Sequence, residues 1–155
     1  MCLVCERIGH IQRGENPYFV RELKSGYVVV GDHQHFYGYT LFLYKNHVLE
    51  LHHLAREEKM LYLEEMSLVA EAAAKSFGAE KMNCELLGSG DAHLHWHLFP
   101  RRSGDLGAYA AAGPVWWLPK TEMYAEGNRP APEELAVMKQ RLNDALDSLL
   151  NEKGA

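Results

Sequence analysis

Apolar and polar positions along the chain predict five strands and two main helices. YFVREL (18–23) and YVVVGD (27–32) read as two strands joined by the turn Lys24-Ser25-Gly26, and TLFLYK (40–45) reads as a third. From Ala55 to Phe77 the period becomes helical: Leu63, Met66, Ala70, Ala73 and Phe77 recur at spacings of three and four, and Gly78 is a natural stop. MNCELLG (82–88) predicts a fourth strand. The fifth is HLHWHL (93–98), where strict alternation turns Leu94, Trp96 and Leu98 to the core and His93, His95 and His97 to the opposite face. Phe99-Pro100 is expected to end it, because Pro cannot donate to a ladder. A last helix follows Pro132, with Glu133 and Glu134 in its first turn and a stripe of Leu135, Met138, Leu142, Leu146 and Leu149. Strands that are mostly sequence neighbours, with helices inserted, predict an antiparallel α+β domain.

The stretch from Ser103 to Ala131, rich in Gly, Ala and Pro around PVWWLP, fits neither period. Loops of this length are usually covers or contacts. Trp116 and Trp117 are expected to pack against a second subunit or the edge of a pocket.

Composition narrows the class. At 155 residues, 47% hydrophobic and 24% charged, the chain has the size and make-up of one globular domain. No apolar run reaches membrane-spanning length, and MCLVCERIGH lacks the apolar core of a signal peptide, so a soluble, cytoplasmic protein is expected. A formal charge of -5 argues against broad nucleic-acid binding. The odd count of three cysteines does not suggest a disulfide framework, and Cys84 is expected to be a packed thiol.

Three imidazoles on one strand face are the main candidate chemistry. Thr, Lys or Glu would serve an exposed face equally well, whereas neutral imidazole suits nucleophilic attack, proton transfer and metal binding near neutral pH. Cys2 and Cys5 add a second candidate, since two residues between cysteines let both sulfurs reach one ion.

HLHWHLF fits His-φ-His-φ-His-φ-φ (φ apolar), and the chain resembles the histidine triad (HIT) family. CLVC resembles the Cys-x-x-Cys opening of bacterial members, and TLFLYKNH (40–47) their Leu-Val-x-Pro-Lys-x-His strand. RRSGD, the Trp-containing tail and the last helix resemble the dinucleoside polyphosphate hydrolase branch. The resemblance implies a HIT-like fold: an antiparallel five-stranded sheet with a long helix and a C-terminal helix, usually paired as a homodimer. It divides the chain into a HIT domain at 1–105, a long loop at 106–131 and a C-terminal helix of the same domain at 132–152.

The resemblance further implies cleavage at a nucleotide α-phosphate through a nucleotidyl-histidine. His95 would be the nucleophile, His97 would contact the phosphate and leaving group, and His93 would support them. Asp32, Asn83, Ser89 and Gly90 stand near positions that bind ribose or phosphate in members, with Asp32 and Asn83 each off by one. Tyr39 stands where members carry a histidine, and Tyr44 replaces their usual Pro. Diadenosine tetraphosphate is the substrate type the tail suggests. A nucleoside phosphoramidate and a non-catalytic nucleotide-binding adaptor are the alternatives. Bacterial members and the distantly similar galactose-1-phosphate uridylyltransferases bind zinc with a matching set, which here implies structural zinc on Cys2, Cys5, His47 and His93. The remaining histidines carry less: His52 and His53 are expected in an exposed turn, and His33 and His35 are not expected to replace the imidazole missing at Tyr39.

Overall fold

The computed structural model describes residues 1–152. Five antiparallel strands, β1 (Phe19–Glu22), β2 (Gly26–Val30), β3 (Thr40–Tyr44), β4 (Lys81–Glu85) and β5 (His95–Arg101), form one sheet in the order β1-β2-β3-β5-β4. The helices are α1 (Leu3–Gln12), α2 (Arg56–Phe77), the short α3 (Lys120–Met123) and α4 (Pro132–Glu152). The α+β class and the five-stranded antiparallel sheet are as expected. Among the described residues, no helix is long and apolar enough to cross a membrane.

The strand period divides the core. Val28, Val30, Phe42 and Leu98 point to one face and pack with Tyr62, Val69, Ala73 and Phe77 of α2 and with the five apolar stripe residues of α4. Ala70, Ala73 and Phe77 of the expected α2 stripe are buried and Met66 packs partly buried against the core, while at the start of the stripe Tyr62 is buried in place of Leu63, which is only partly covered. Gly78 ends α2 with φ of 65°, its N–H donating to Ala74 O. Tyr27, Val29 and Leu43 point to the opposite face and pack on Val4, Ile8 and Ile11 of α1. Covered on both sides, β2 is buried throughout, which explains its unbroken YVVV run.

Most strand limits fall within one or two residues of the sequence reading, and β5 begins at His95, two residues after the expected start at His93. β4 ends at Glu85 instead of Gly88. β5 runs through Pro100 to Arg101, where a stop was expected. Arg101 O accepts from Glu80 N on the β4 side, so by alternation Pro100 turns its nitrogen toward β3. The ladder with β3 has already ended at the pair Thr40–Leu98, and the missing N–H costs no bond. Cys84 is also corrected: it is exposed on the edge strand β4 and does not pack in the core.

The stretch after Ser103 folds back over the α1 side of the sheet. Leu106, Val115, Leu118 and Met123 form a third apolar cluster with Phe36 and Phe99. Arg101 ties it down, donating to both Asp105 carboxylate oxygens at 2.7 and 2.8 Å, to Asn83 Oδ1 at 2.7 Å and to Gly113 O at 2.8 Å. The α1 side of the sheet therefore carries α1 at one end and this covering segment at the other. The imidazoles of His95 and His97 lie on that same side, since they pair across β3 with Leu43 and Leu41.

Candidate functional site: the histidine strand

His95 is held by its own strand. Its Nδ1 lies 2.6 Å from His93 O, so Nδ1–H donates and Nε2 keeps its lone pair. Among the described residues Nε2 has no protein partner, yet it is not one of the fully buried unpartnered atoms, so it is open to solvent. An imidazole held in this way presents the exposed lone pair that nucleophilic attack requires.

His97 stands beside it, ring centroids 4.8 Å apart. Its Nδ1 lies 2.6 Å from Tyr39 Oη. Burial, with a smaller contribution from His95, lowers the His97 pKa to about 4. Tyr39 stacks on Phe99 at 4.2 Å and 7°, and desolvation keeps its phenol protonated far above the ordinary range. Its other face lies on Gly31, where a Cβ would come within 2.2 Å of the ring. Gln34 clamps that loop, donating to Gly31 O and Tyr39 O and accepting from Gly38 N.

The other candidate substrate residues separate. Asp32 is already paired: Arg7 of α1 donates to both of its oxygens at 2.9 Å. Burial raises the Asp32 carboxyl, but Arg7 outweighs it and the net pKa falls below the ordinary carboxylate value. Asn83 faces Phe99, not His97, and its Oδ1 is taken by Arg101. The residue across from His97 is Glu85, whose carboxylate accepts from Trp116 Nε1 at 3.2 Å. Ser89 and Gly90 lie on an exposed turn before β5, following Gly88 at φ of 87°. Trp116 approaches the site edge-on, 6.1 Å from the His97 ring and 5.9 Å from Phe99. The pocket-edge alternative expected for the Trp pair is thus the one Trp116 takes. His35 bonds to Asp105 O, His33 lies against Tyr124, and His52 and His53 occupy an exposed turn.

Arg7, Gln34 and Glu85 were not identified from sequence. Val4, Ile8 and Ile11 carry a helical period that announces α1, and with it Arg7. Glu85 needed the β4–β5 register.

A second cluster joins the site at His93. Cys5 Sγ lies 3.4 Å from both His47 Nδ1 and His93 Nδ1, and Cys2 Sγ lies 3.6 Å from His93 Nδ1. All four ligand atoms fall within 4.8 Å of one another. Zinc–sulfur and zinc–nitrogen bonds of about 2.3 and 2.0–2.1 Å at a tetrahedral angle imply sulfur–nitrogen edges of about 3.6 Å. The donor set and spacing therefore fit zinc. Tyr44 O accepts from His93 Nε2–H at 2.7 Å, which leaves the Nδ1 lone pair free to bind a metal beside the sulfurs. Asp91 accepts from Val4 N at 2.8 Å and seats the first turn of α1 against the turn before β5.

Known proteins agree with this geometry. The HIT domain model matches residues 15–104. A histidine triad protein from Sinorhizobium meliloti 1021 shares 23% identity at a TM-score of 0.70, covering 86% of this chain and 93% of its own. A hypothetical histidine triad nucleotide-binding protein from Sulfolobus tokodaii strain 7 is 17% identical at a TM-score of 0.71, with 97% of each chain covered. A Zn-bound histidine triad family protein from Mycobacterium smegmatis is 20% identical at 0.65, covering 97% of this chain and 96% of its own. No curated protein matches. With three alternating imidazoles on a five-stranded antiparallel sheet and the domain model spanning more than half its length, the chain belongs to the HIT family.

Proposed function

We propose that this chain is a nucleotide hydrolase or nucleotidyl transferase that cleaves at the α-phosphate through a nucleotidyl-His95, with dinucleoside polyphosphates such as diadenosine tetraphosphate as first-choice substrates. Its family supports the class, since HIT proteins are generally nucleotide hydrolases or nucleotidyl transferases. The observation that carries the reading is the 2.6 Å bond from His95 Nδ1 to His93 O, which puts the neutral ring's proton on Nδ1 and its lone pair on the open Nε2. Nε2 forms a bond to the α-phosphorus as the bond to the leaving oxygen breaks, and the leaving group departs with that electron pair. Water then attacks the same phosphorus, the nitrogen–phosphorus bond breaks with its electron pair returning to Nε2, the water's proton passes to solvent, and a mononucleotide leaves. Two moderate barriers replace one high one. In this reading His97 and the turn at Ser89 and Gly90 would donate to phosphate oxygens as charge shifts among them.

Cys2, Cys5, His47 and His93 would hold a structural zinc, which would brace the start of α1 against β5 and supply no acid or base. The Zn-bound relative supports this reading. Metal analysis of the purified protein checks it: about one zinc per chain is expected, falling sharply in Cys2→Ser and Cys5→Ser. A homodimer in the cytoplasm completes the proposal, with nucleotides rather than nucleic acid or membrane as partners. The unpaired edge of β4 supports association, and sedimentation velocity tests it.

Mass-spectrometric trapping with diadenosine tetraphosphate, and with adenosine phosphoramidate in parallel, tests the reaction. An adduct on His95 that is absent in His95→Asn supports it. Nucleotide binding without adduct or AMP release would favour the adaptor.

A further inference from the structure

The phenol of Tyr39 has one hydrogen-bond partner among the described residues, and that partner is the imidazole next to the nucleophile. The ring cannot easily turn away. Phe99 stacks on one face at 4.2 Å, and the backbone of Gly31 lies on the other with no room for a Cβ. Gly31 N–H donates to Tyr39 O, and Gln34 bonds both carbonyls. The phenolic oxygen is therefore fixed 2.6 Å from His97 Nδ1.

The direction of that bond sets the chemistry of His97. A phenol is the stronger donor of the pair and an imidazole nitrogen the stronger acceptor, so the Tyr39 proton lies toward Nδ1. A neutral imidazole has one ring proton, which must then sit on Nε2. Among the described residues Nε2 has no protein partner, and it is open to solvent.

We propose that Tyr39 is a positioning residue that locks His97 in the Nε2–H tautomer, making it a fixed neutral donor to phosphate and restricting efficient cleavage to leaving groups that depart without a proton. The proposal rests on the nucleotidyl-His95 reading and deepens it. Nε2–H of a neutral imidazole stabilises charge on a phosphate oxygen but gives up its proton poorly. A polyphosphate leaves as an oxyanion and needs none, whereas the amine of a phosphoramidate must be protonated as it departs. The charged and titratable groups around the pair leave the lock intact. Arg7 and Asp32 face Tyr39 but neutralise each other, Glu85 is bonded to Trp116, and Tyr124 and His95 are the remaining titratable neighbours.

Nitrogen-15 histidine NMR of the full chain, with turnover on two substrates, tests this. In the wild type at pH 7, His97 should show a protonated Nε2 and an unprotonated Nδ1. In Tyr39→Phe, which keeps the ring and its stacking, the signals should move toward a tautomer mixture. For diadenosine tetraphosphate, kcat in Tyr39→Phe should fall about tenfold or more with KM nearly unchanged, since a positioned donor acts mainly in the transition state. The wild type should prefer diadenosine tetraphosphate to adenosine phosphoramidate between pH 5 and 8, and Tyr39→His, which can pass a proton, should narrow that preference. A proton on Nδ1 in the wild type, unchanged spectra in Tyr39→Phe, or an unchanged preference in Tyr39→His would overturn the proposal. Failure of the wild type to turn over either substrate would instead overturn the nucleotidyl-His95 reading and the leaving-group consequence, and the spectra alone would still decide the hydrogen bond.

Discussion

At the scale of single residues, two atoms govern the site: His93 O, which fixes His95, and Tyr39 Oη, which fixes His97. The His97 pKa of about 4 has a consequence for stability. Its ordinary value is 6.5, so between pH 6.5 and 4 the unfolded chain binds a proton that the folded one refuses. Stability therefore rises with pH through that window and is lost on acidification, on the order of 3 kcal/mol at full extent. His97→Gln should flatten this part of the melting-temperature profile, and an unchanged profile would contradict the assigned burial. Gly31→Ala tests the packing beneath Tyr39. A methyl group within 2.2 Å of the ring forces displacement, with an expected loss of about 1–3 kcal/mol in denaturant unfolding. The pattern HLHWHL is legible as a strand with one imidazole face because alternation alone separates the faces. The engagement of Asn83 by Arg101 is not legible, because it depends on the β4–β5 register that sets the two residues diagonally across from each other on one sheet face.

At the scale of elements, α1 is the piece whose attachment depends most on the cluster at its start. It buries Val4, Ile8 and Ile11, but its first turn is fastened by Cys2, Cys5 and Asp91. Chelation, or Cys5→Ser, should raise amide hydrogen exchange across Leu3–Gln12 well before the rest of the chain responds. Uniform exchange would mean that apolar packing alone seats the helix. Since His93 offers Nδ1 to the cluster and its carbonyl to His95, the same treatment should also loosen the His95 ring. The stripe of α4 was readable residue by residue, because Leu135, Met138, Leu142, Leu146 and Leu149 all reach the core. That of α2 holds at Met66, Ala70, Ala73 and Phe77 and misses only its first member, where Tyr62 and not Leu63 buries its ring and bonds Phe42 O, a polar–apolar combination that the apolar count passes over.

At the scale of the whole molecule, the segment after Ser103 turns an open sheet face into a walled site. Arg101 is its anchor, with a side chain only 11% exposed and bonds to Asp105, Asn83 and Gly113. Arg101→Met should cost about 3 kcal/mol in unfolding free energy, because it leaves Asp105 part-buried and unpaired. It should also raise exchange over residues 106–117 and shift the fluorescence of Trp116. A stable variant with unchanged fluorescence would show that the apolar cluster holds the segment without the arginine.

The chain's own pattern is enough to specify the strand period, the two long helices, the row of imidazoles and the knuckle spacing of Cys2 and Cys5. These are properties of neighbours a few residues apart, where backbone geometry dictates which side chains share a face. Folding adds everything that joins distant positions: Arg7 on Asp32, Tyr39 on His97, Glu85 across from His97, and Cys5 beside His47 and His93. Those pairs arise from strand register and from the docking of α1 and the covering segment onto one sheet face. Such contacts have no period in the sequence, because the chain that links them imposes no fixed spacing.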